Sequence, residues 1–212
     1  MAKPHHPPTP SPLTNLLASS SAESPITALP FEILHNLQHQ HSWTDLKLHL
    51  ITTFPSSSQP KILDVSLSGS KLPESISDSQ YLISGLPPRH AYIHPDFQSH
   101  LLRHSIPVTT IAIQREYVLP LSLAQKYSLR RLATIFDALP TREAMQDLDG
   151  KVLSIASKRG KQNIEEGEEE IEGWKDAKRL LMGMVAANGM GGDGTVVYYI
   201  VQEGDVKPRQ NG

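Results

Sequence analysis

The run Thr195-Val196-Val197-Tyr198-Tyr199-Ile200-Val201 constrains this chain more than any other stretch, because both of its alternating sets of side chains are apolar or aromatic. In a strand, Val196, Tyr198 and Ile200 point to one face and Val197, Tyr199 and Val201 to the other. A strand with one solvated face alternates apolar with polar residues, so this one requires cover on both sides. Upstream, residues 178–186 form a second β-rich run, and the Gly-rich stretch 188–194 between the two reads as a hairpin turn. One face can pack on helices of the same domain. The other calls for a partner.

The preceding chain alternates helix and strand signals. A helix is predicted over 24–41, with Ser24 as cap, Pro25 at the first helical position and Ile33, Leu34 and Leu37 as an apolar stripe. Leu46, Leu48 and Leu50 alternate with Asp45, Lys47 and His49, which predicts a half-buried strand. A second strand over 61–67 completes a hairpin. The stretch 81–88 reads as irregular, since Pro87 and Pro88 argue against a central strand. Residues 91–93 suit extended backbone, 95–104 a short helix, and 108–119 a largely extended segment. A strong helix is predicted over 122–139, with Leu123, Tyr127, Leu132, Ile135, Phe136 and Leu139 near one face and Pro140 just beyond its end. Together these give an α/β fold, a single domain over 24–212 with a mixed sheet flanked by helices.

Two segments fall outside that pattern. Residues 1–23 carry five prolines in the first twelve positions and are expected to be a disordered tail. Six glutamates between Glu165 and Glu172 repel one another and bury nothing, so 158–173 is expected to be a disordered acidic insert.

Composition narrows the chemistry. The chain has no Cys, which removes disulfides, thiolate metal sites and thiol nucleophiles. Its formal net charge of -2 is not that of a polycation built to coat nucleic acid, so any RNA contact must come from a local patch. No apolar run reaches the length of a membrane span, and the N-terminus lacks the apolar stretch of a secretory signal. His35/His39 and His100/His104 have the i,i+4 spacing of a chelating pair, without an acid or Cys at ligand spacing, and read as surface histidines; no metal or cofactor is expected. The Gly-rich stretch 189–195 opens a strand rather than a helix and lacks the Lys-Ser/Thr ending of a phosphate loop. Lys126, Arg130 and Arg131 place three cations near one another with Asp137 the nearest acid, a candidate RNA contact or a solvated face. Tyr92, His100 and Lys178 are residue types that can serve as base, acid and cation in attack by an RNA 2′-hydroxyl, although three such residues scattered along the chain carry no signal by themselves.

A resemblance gives these scattered residues a context. The run from Lys178 to Val185, then Asp193-Gly194-Thr195-Val196-Val197-Tyr198-Tyr199 and Val206-Lys207-Pro208, resembles the final hairpin of tRNA-splicing endonuclease subunits. Tyr81-Leu82-Ile83-Ser84-Gly85-Leu86-Pro87-Pro88, Tyr92-Ile93-His94-Pro95-Asp96, Val118-Leu119-Pro120 and Phe136-Asp137-Ala138-Leu139-Pro140 resemble the small structural subunit, the Sen-fifteen type in its fungal form. The resemblance covers roughly 30–140 and 175–210. It implies the nuclease-like α/β fold of tRNA-intron endonuclease catalytic domains and a heterotetramer that excises introns from precursor tRNA, with two cutting and two structural subunits. It implies a direct heterodimer with a catalytic subunit, formed through the C-terminal strand with Val197, Tyr198, Tyr199, Ile200 and Val201. It also implies a plug at Asp193 that meets another subunit, precursor tRNA reached through the complex, and residence in the nucleus or on the cytoplasmic face of mitochondria. Catalytic members carry Tyr, His and Lys in that order; here Tyr92, His100 and Lys178 fall near them, but Pro95 and Asp96 stand exchanged relative to the family's Asp-Pro. A non-catalytic structural subunit is therefore the expectation, and a catalytically active subunit using those three residues the alternative.

Overall fold

Helix α1, Pro25–His39, buries the expected stripe of Ile33, Leu34 and Leu37, and Phe31 with it. Pro30 sits inside it and withdraws one N–H from the helical ladder. The helix ends where the backbone N–H groups of Gln40 and His41 turn back to Asn36 O and Ser42 adopts a positive φ of 55°. The computed structural model describes residues 25–52, 60–65, 80–123, 126–153, 174–185, 195–203 and 205–206, with 12 and 15 beside them. Most of the expected tail, its cap Ser24, the insert 158–173 and the loop 188–194 with Asp193 lie outside the described residues.

Seven strands form one sheet in the order β2-β1-β3-β4-β5-β6-β7. They are β1 Thr44–Thr52, β2 Lys61–Val65, β3 Gln80–Leu86, β4 Glu116–Ser122, β5 Arg179–Val185, β6 Val196–Gln202 and β7 Asp205–Val206. Every neighbouring pair is antiparallel except β4 and β5, which run parallel with Val118 opposite Leu181. A parallel pair needs a crossover, and α3, Leu129–Ala138, lies within it.

Alternation along the central strands sorts the core into two layers. Ile83, Val118 and Leu181 face α1 together with Leu48 and Ile200. Leu82, Leu119 and Leu180 face α3 through Ile135 and Leu139. A third cluster, Phe97, Leu101, Ile111 and Met145, gathers under α2, Pro95–Arg103, with Trp174 stacked on Phe97. Asp96 N donates to His94 Nδ1 at the start of α2, and Ser128 Oγ accepts from Arg131 N at the start of α3.

Three expectations need correction. Residues 80–86 are not irregular: β3 is a central strand between β1 and β4, because Pro87 and Pro88 fall just past its end, where proline restrains only the preceding residue toward extended backbone. The helix expected from 122 starts at Leu129, because β4 continues to Ser122 and the cap is Ser128. Pro120 is tolerated inside β4 because the β3 ladder stops at Val118, so from there β4 has a partner on one side only. The segment 108–119 is a 3-10 turn, Val108–Thr110, followed by non-strand backbone before β4. Residues 91–93 join no strand.

Gly85 is required by close approach. A Cβ there would stand 2.7 Å from Leu46 Cδ2 and 3.2 Å from Thr44 O, beside the irregularity in β1 where Asp45 takes a φ of 47°.

Candidate functional site

The C-terminal hairpin departs from the ordinary rule of apolar residues inside. On the α1 side of β6, Val196, Tyr198 and Ile200 pack into the core, and the Tyr198 hydroxyl donates to Asn36 Oδ1 at 2.7 Å. Burial pushes the Tyr198 phenol well above its usual range, so it stays a neutral donor. On the other side Val201 is buried, but Val197 is 42% exposed and Tyr199 39%. Their cross-strand partners are Met184 and Met182, which are half-buried. These four side chains form an apolar surface on the face that α3 covers further along the sheet. Among the described residues the edge of β6 is open too, since β7 pairs only with Val201 and Gln202. Val197 and Tyr199 are thus the outward members of the expected partner set, while Tyr198, Ile200 and Val201 serve this domain's own packing.

At the other end of the same face, polar groups are tied to one another. His49 on β1 stands opposite Asp64 on β2, and its Nδ1 meets the Asp64 carboxylate. His49 Nε2 is 2.7 Å from Ser84 Oγ on β3. Arg115 Nη1 donates to that same hydroxyl at 3.0 Å and to Asp45 O, and Nη2 pairs with the Asp45 carboxylate. Because the Asp64 carboxylate can only accept, the single proton of a neutral His49 ring sits on Nδ1, which leaves Nε2 to accept from the Ser84 hydroxyl. Burial lowers the His49 pKa, against the pull of Asp64 in the other direction, so the ring is neutral at pH 7. A Ser-His-Asp order invites a hydrolytic reading, but Ser84 is fully buried and its oxygen already accepts from Arg115. The row joins three strands.

Beside it lies a buried ion cluster. Glu116, 1% exposed, accepts from Arg142 Nη1 and Nη2 at 3.1 Å each and from Arg179 Nε at 3.0 and 3.1 Å, with Arg179 Nη2 closing the pair. Arg179 Nη1 donates to Asp176 Oδ2 at 2.7 Å, and Asp176 Oδ1 accepts from the Trp174 indole at 3.0 Å. Burial opposes the Arg179 charge, yet Glu116 and Asp176 outweigh it and raise its pKa. A cavity of about 480 Å³ opens beside the cluster, lined by residues 112–115, 117, 139–144, 146, 178 and 179. Sequence reading missed both polar groups. The one signal was a His or Glu set among apolar strand residues.

The residues singled out for chemistry are engaged separately. The Tyr92 ring lies 5.6 Å from the Arg179 guanidinium and packs on the α1 core. The His100 ring lies 4.4 Å from that of His104, tilted by 45°, at the C-terminal end of α2. Lys178 Nζ donates to Phe136 O at 3.1 Å and lines the cavity. Lys126 precedes α3 rather than lying on it; Arg130 is exposed, and Arg131 sits 5.8 Å over the Tyr127 ring. The His35 and His39 rings lie 4.4 Å apart, tilted by 47°, and among the described residues no group of three or more metal-ligating side chains comes together.

The family model described as Sen15 protein matches residues 32–211. The chain is 30% identical over 203 residues to the protein named probable tRNA-splicing endonuclease subunit tsp-1 of Neurospora crassa, spanning 92% of this chain and 71% of that protein. No solved structure matches.

Proposed function

Because the chain belongs to the Sen15 family, structural subunits of the tRNA-splicing endonuclease, we propose that it assembles with a catalytic subunit through the outer face and open edge of β6. The observation that carries this reading is the apolar surface of Val197, Tyr199, Met182 and Met184 beside a strand edge that is unpaired among the described residues. A partner strand added there gains main-chain hydrogen bonds, and the aromatic and thioether side chains supply area. The separate engagements of Tyr92, His100 and Lys178 support a role without catalysis by this chain. The loop holding Asp193 is a second contact in this reading, and precursor tRNA, with Lys126 and Arg130 as its candidate contacts, is met through the complex, in the nucleus.

Co-expression with the catalytic subunit tests the proposal. Tyr199→Ala is expected to weaken capture by about 2 kcal/mol, while the full chain alone leaves precursor tRNA uncut. Undiminished capture by Tyr199→Ala combined with Val197→Asp would overturn the interface. Specific intron excision by the chain alone, abolished by His100→Ala, would overturn the structural role.

A further inference from the structure

Arg142 holds its partner with only part of its guanidinium. Both of its Nη atoms donate to Glu116, one to each carboxylate oxygen, which is the end-on fork. The lateral edge, where Nε–H lies beside one Nη–H, is left over. Nε has no hydrogen-bond partner among the described residues, although the side chain is only 7% exposed. An N–H left bare at that depth is costly, because it has given up water without gaining a partner, and Arg142 lines the 480 Å³ cavity. Arg179 does not share this condition, since Nε and Nη2 go to Glu116 and Nη1 to Asp176.

A second bare atom lines the same cavity. Gln114 Nε2 donates to Glu143 O at 3.0 Å, which fixes the amide orientation and leaves Oε1 buried with no donor. Lys178 is the third component. Its Nζ gives one hydrogen to Phe136 O, and an ammonium has three.

Charge says what is missing. Arg142 and Arg179 are balanced by Glu116 and Asp176, and Arg115 by Asp45. Lys178 remains, with the exposed carboxylate of Glu143 at the rim. The interior therefore offers two cationic donors from different elements and one acceptor. Two charged donors on the wall of one cavity suit a tetrahedral phosphate, and the bare Gln114 amide oxygen suits a hydroxyl or amine on the same molecule. The volume lies within the roughly 300–1,000 Å³ of small-molecule sites.

We propose that this cavity binds a small phosphate-bearing ligand, whose oxygens take Arg142 Nε–H and Lys178 Nζ–H while a neighbouring hydroxyl or amine donates to Gln114 Oε1. The site is separate from the β6 face and does not depend on the assembly role.

The test is a calorimetric titration of the full-length chain with inorganic phosphate, AMP and adenosine. AMP is expected to bind saturably and more tightly than phosphate, and adenosine not to bind. Lys178→Met should weaken both AMP and phosphate about tenfold, the size of one charge-assisted hydrogen bond. Gln114→Leu should weaken AMP about tenfold and leave phosphate within about twofold. Neither residue belongs to the Glu116 cluster, and unchanged melting of both variants, with normal capture of the catalytic subunit, keeps the readout on the cavity. Absence of saturable binding by the wild type, phosphate binding as tightly as AMP, or affinities unmoved by both substitutions would each overturn the proposal.

Discussion

One face of the sheet breaks the inside-out rule in opposite senses at its two ends. At the β2–β1–β3 end, His49 and Ser84 are buried polar groups, and each is answered by Asp64, Arg115 or the other. At the β5–β6 end, Val197 and Tyr199 are apolar and open to water. Between them α3 covers Leu82, Leu119 and Leu180 in the ordinary way. A buried polar group that finds its partner in the same chain closes that part of the molecule. An exposed apolar group with no partner in the chain leaves it open. The first end belongs to folding, and the proposed interface would give the second to assembly.

The largest expected effect comes from breaking the ion cluster next to the polar end. Glu116→Ala strands Arg142 and Arg179 without their carboxylate, and removing one partner of a buried network costs about 3–5 kcal/mol. Chemical denaturation should register that loss in full. A loss under 1 kcal/mol would mean that the cluster is solvated and the two ends differ less than described.

Tyr199→Ala probes the open end. Capture of the catalytic subunit should weaken by about 2 kcal/mol, while isolated-chain stability stays within about 0.5 kcal/mol, as for a surface substitution. Tyr198→Ala should do the reverse and mainly lower the melting temperature, because its ring packs against α1 and its hydroxyl holds Asn36. Equal effects of the two on stability would erase the distinction between the inner and outer sides of β6.

A smaller loss is expected from Gly183→Ala. The added methyl would stand 3.2 Å from Tyr198 Cε1 and 3.3 Å from Ile33 Cδ1. Overpacking of that degree costs about 1 kcal/mol, seen as a melting-temperature drop of about 2–4 °C for a chain of this size.

The smallest effect is a pH dependence. Burial lowers the His49 pKa, so the unfolded chain binds the proton more readily than the folded one. The contribution of neutral His49 is fully present above the unfolded value of about 6.5 and is lost as pH falls from there through the folded value. Melting temperature should therefore decline across that window, and His49→Gln should flatten the decline. His90, lowered by burial as well, contributes in the same direction and leaves a residual slope. An unchanged slope in His49→Gln would show that the polar row is not protonation-sensitive.

Much of the open end was legible in the sequence, because seven residues with both faces apolar admit few explanations. The alternation Val196/Val197 through Ile200/Val201 gave the two faces, and structure was needed only to say that Tyr198 turns inward and Tyr199 outward. The closed end was hidden. His49, Ser84 and Arg115 are unremarkable among their neighbours until β1, β2 and β3 pair in register, and that register depends on long-range packing. Residues 80–86 were misread for a local reason, that Pro87 and Pro88 weighed on a strand they only terminate. The early start assigned to α3 counted Leu123 and Tyr127 as one helical face, although Leu123 is exposed and Tyr127 precedes the cap.

The parallel seam between β4 and β5 also governs how the protein is made. Synthesis delivers β1 to β4 first, and β5 and β6 arrive only after the long connection that begins beyond Ser122 and ends at Arg179. Until then the edge of β4 that pairs with β5, from Val118 to Ser122, lacks its partner, and the two core layers lack Leu180, Leu181 and Ile200. Such a border invites pairing with another nascent chain, and non-local strand pairing is slow to relieve it. Chains released from the ribosome before residue 185 should therefore collect in the insoluble fraction, whereas the complete chain buries its own border before meeting its partner.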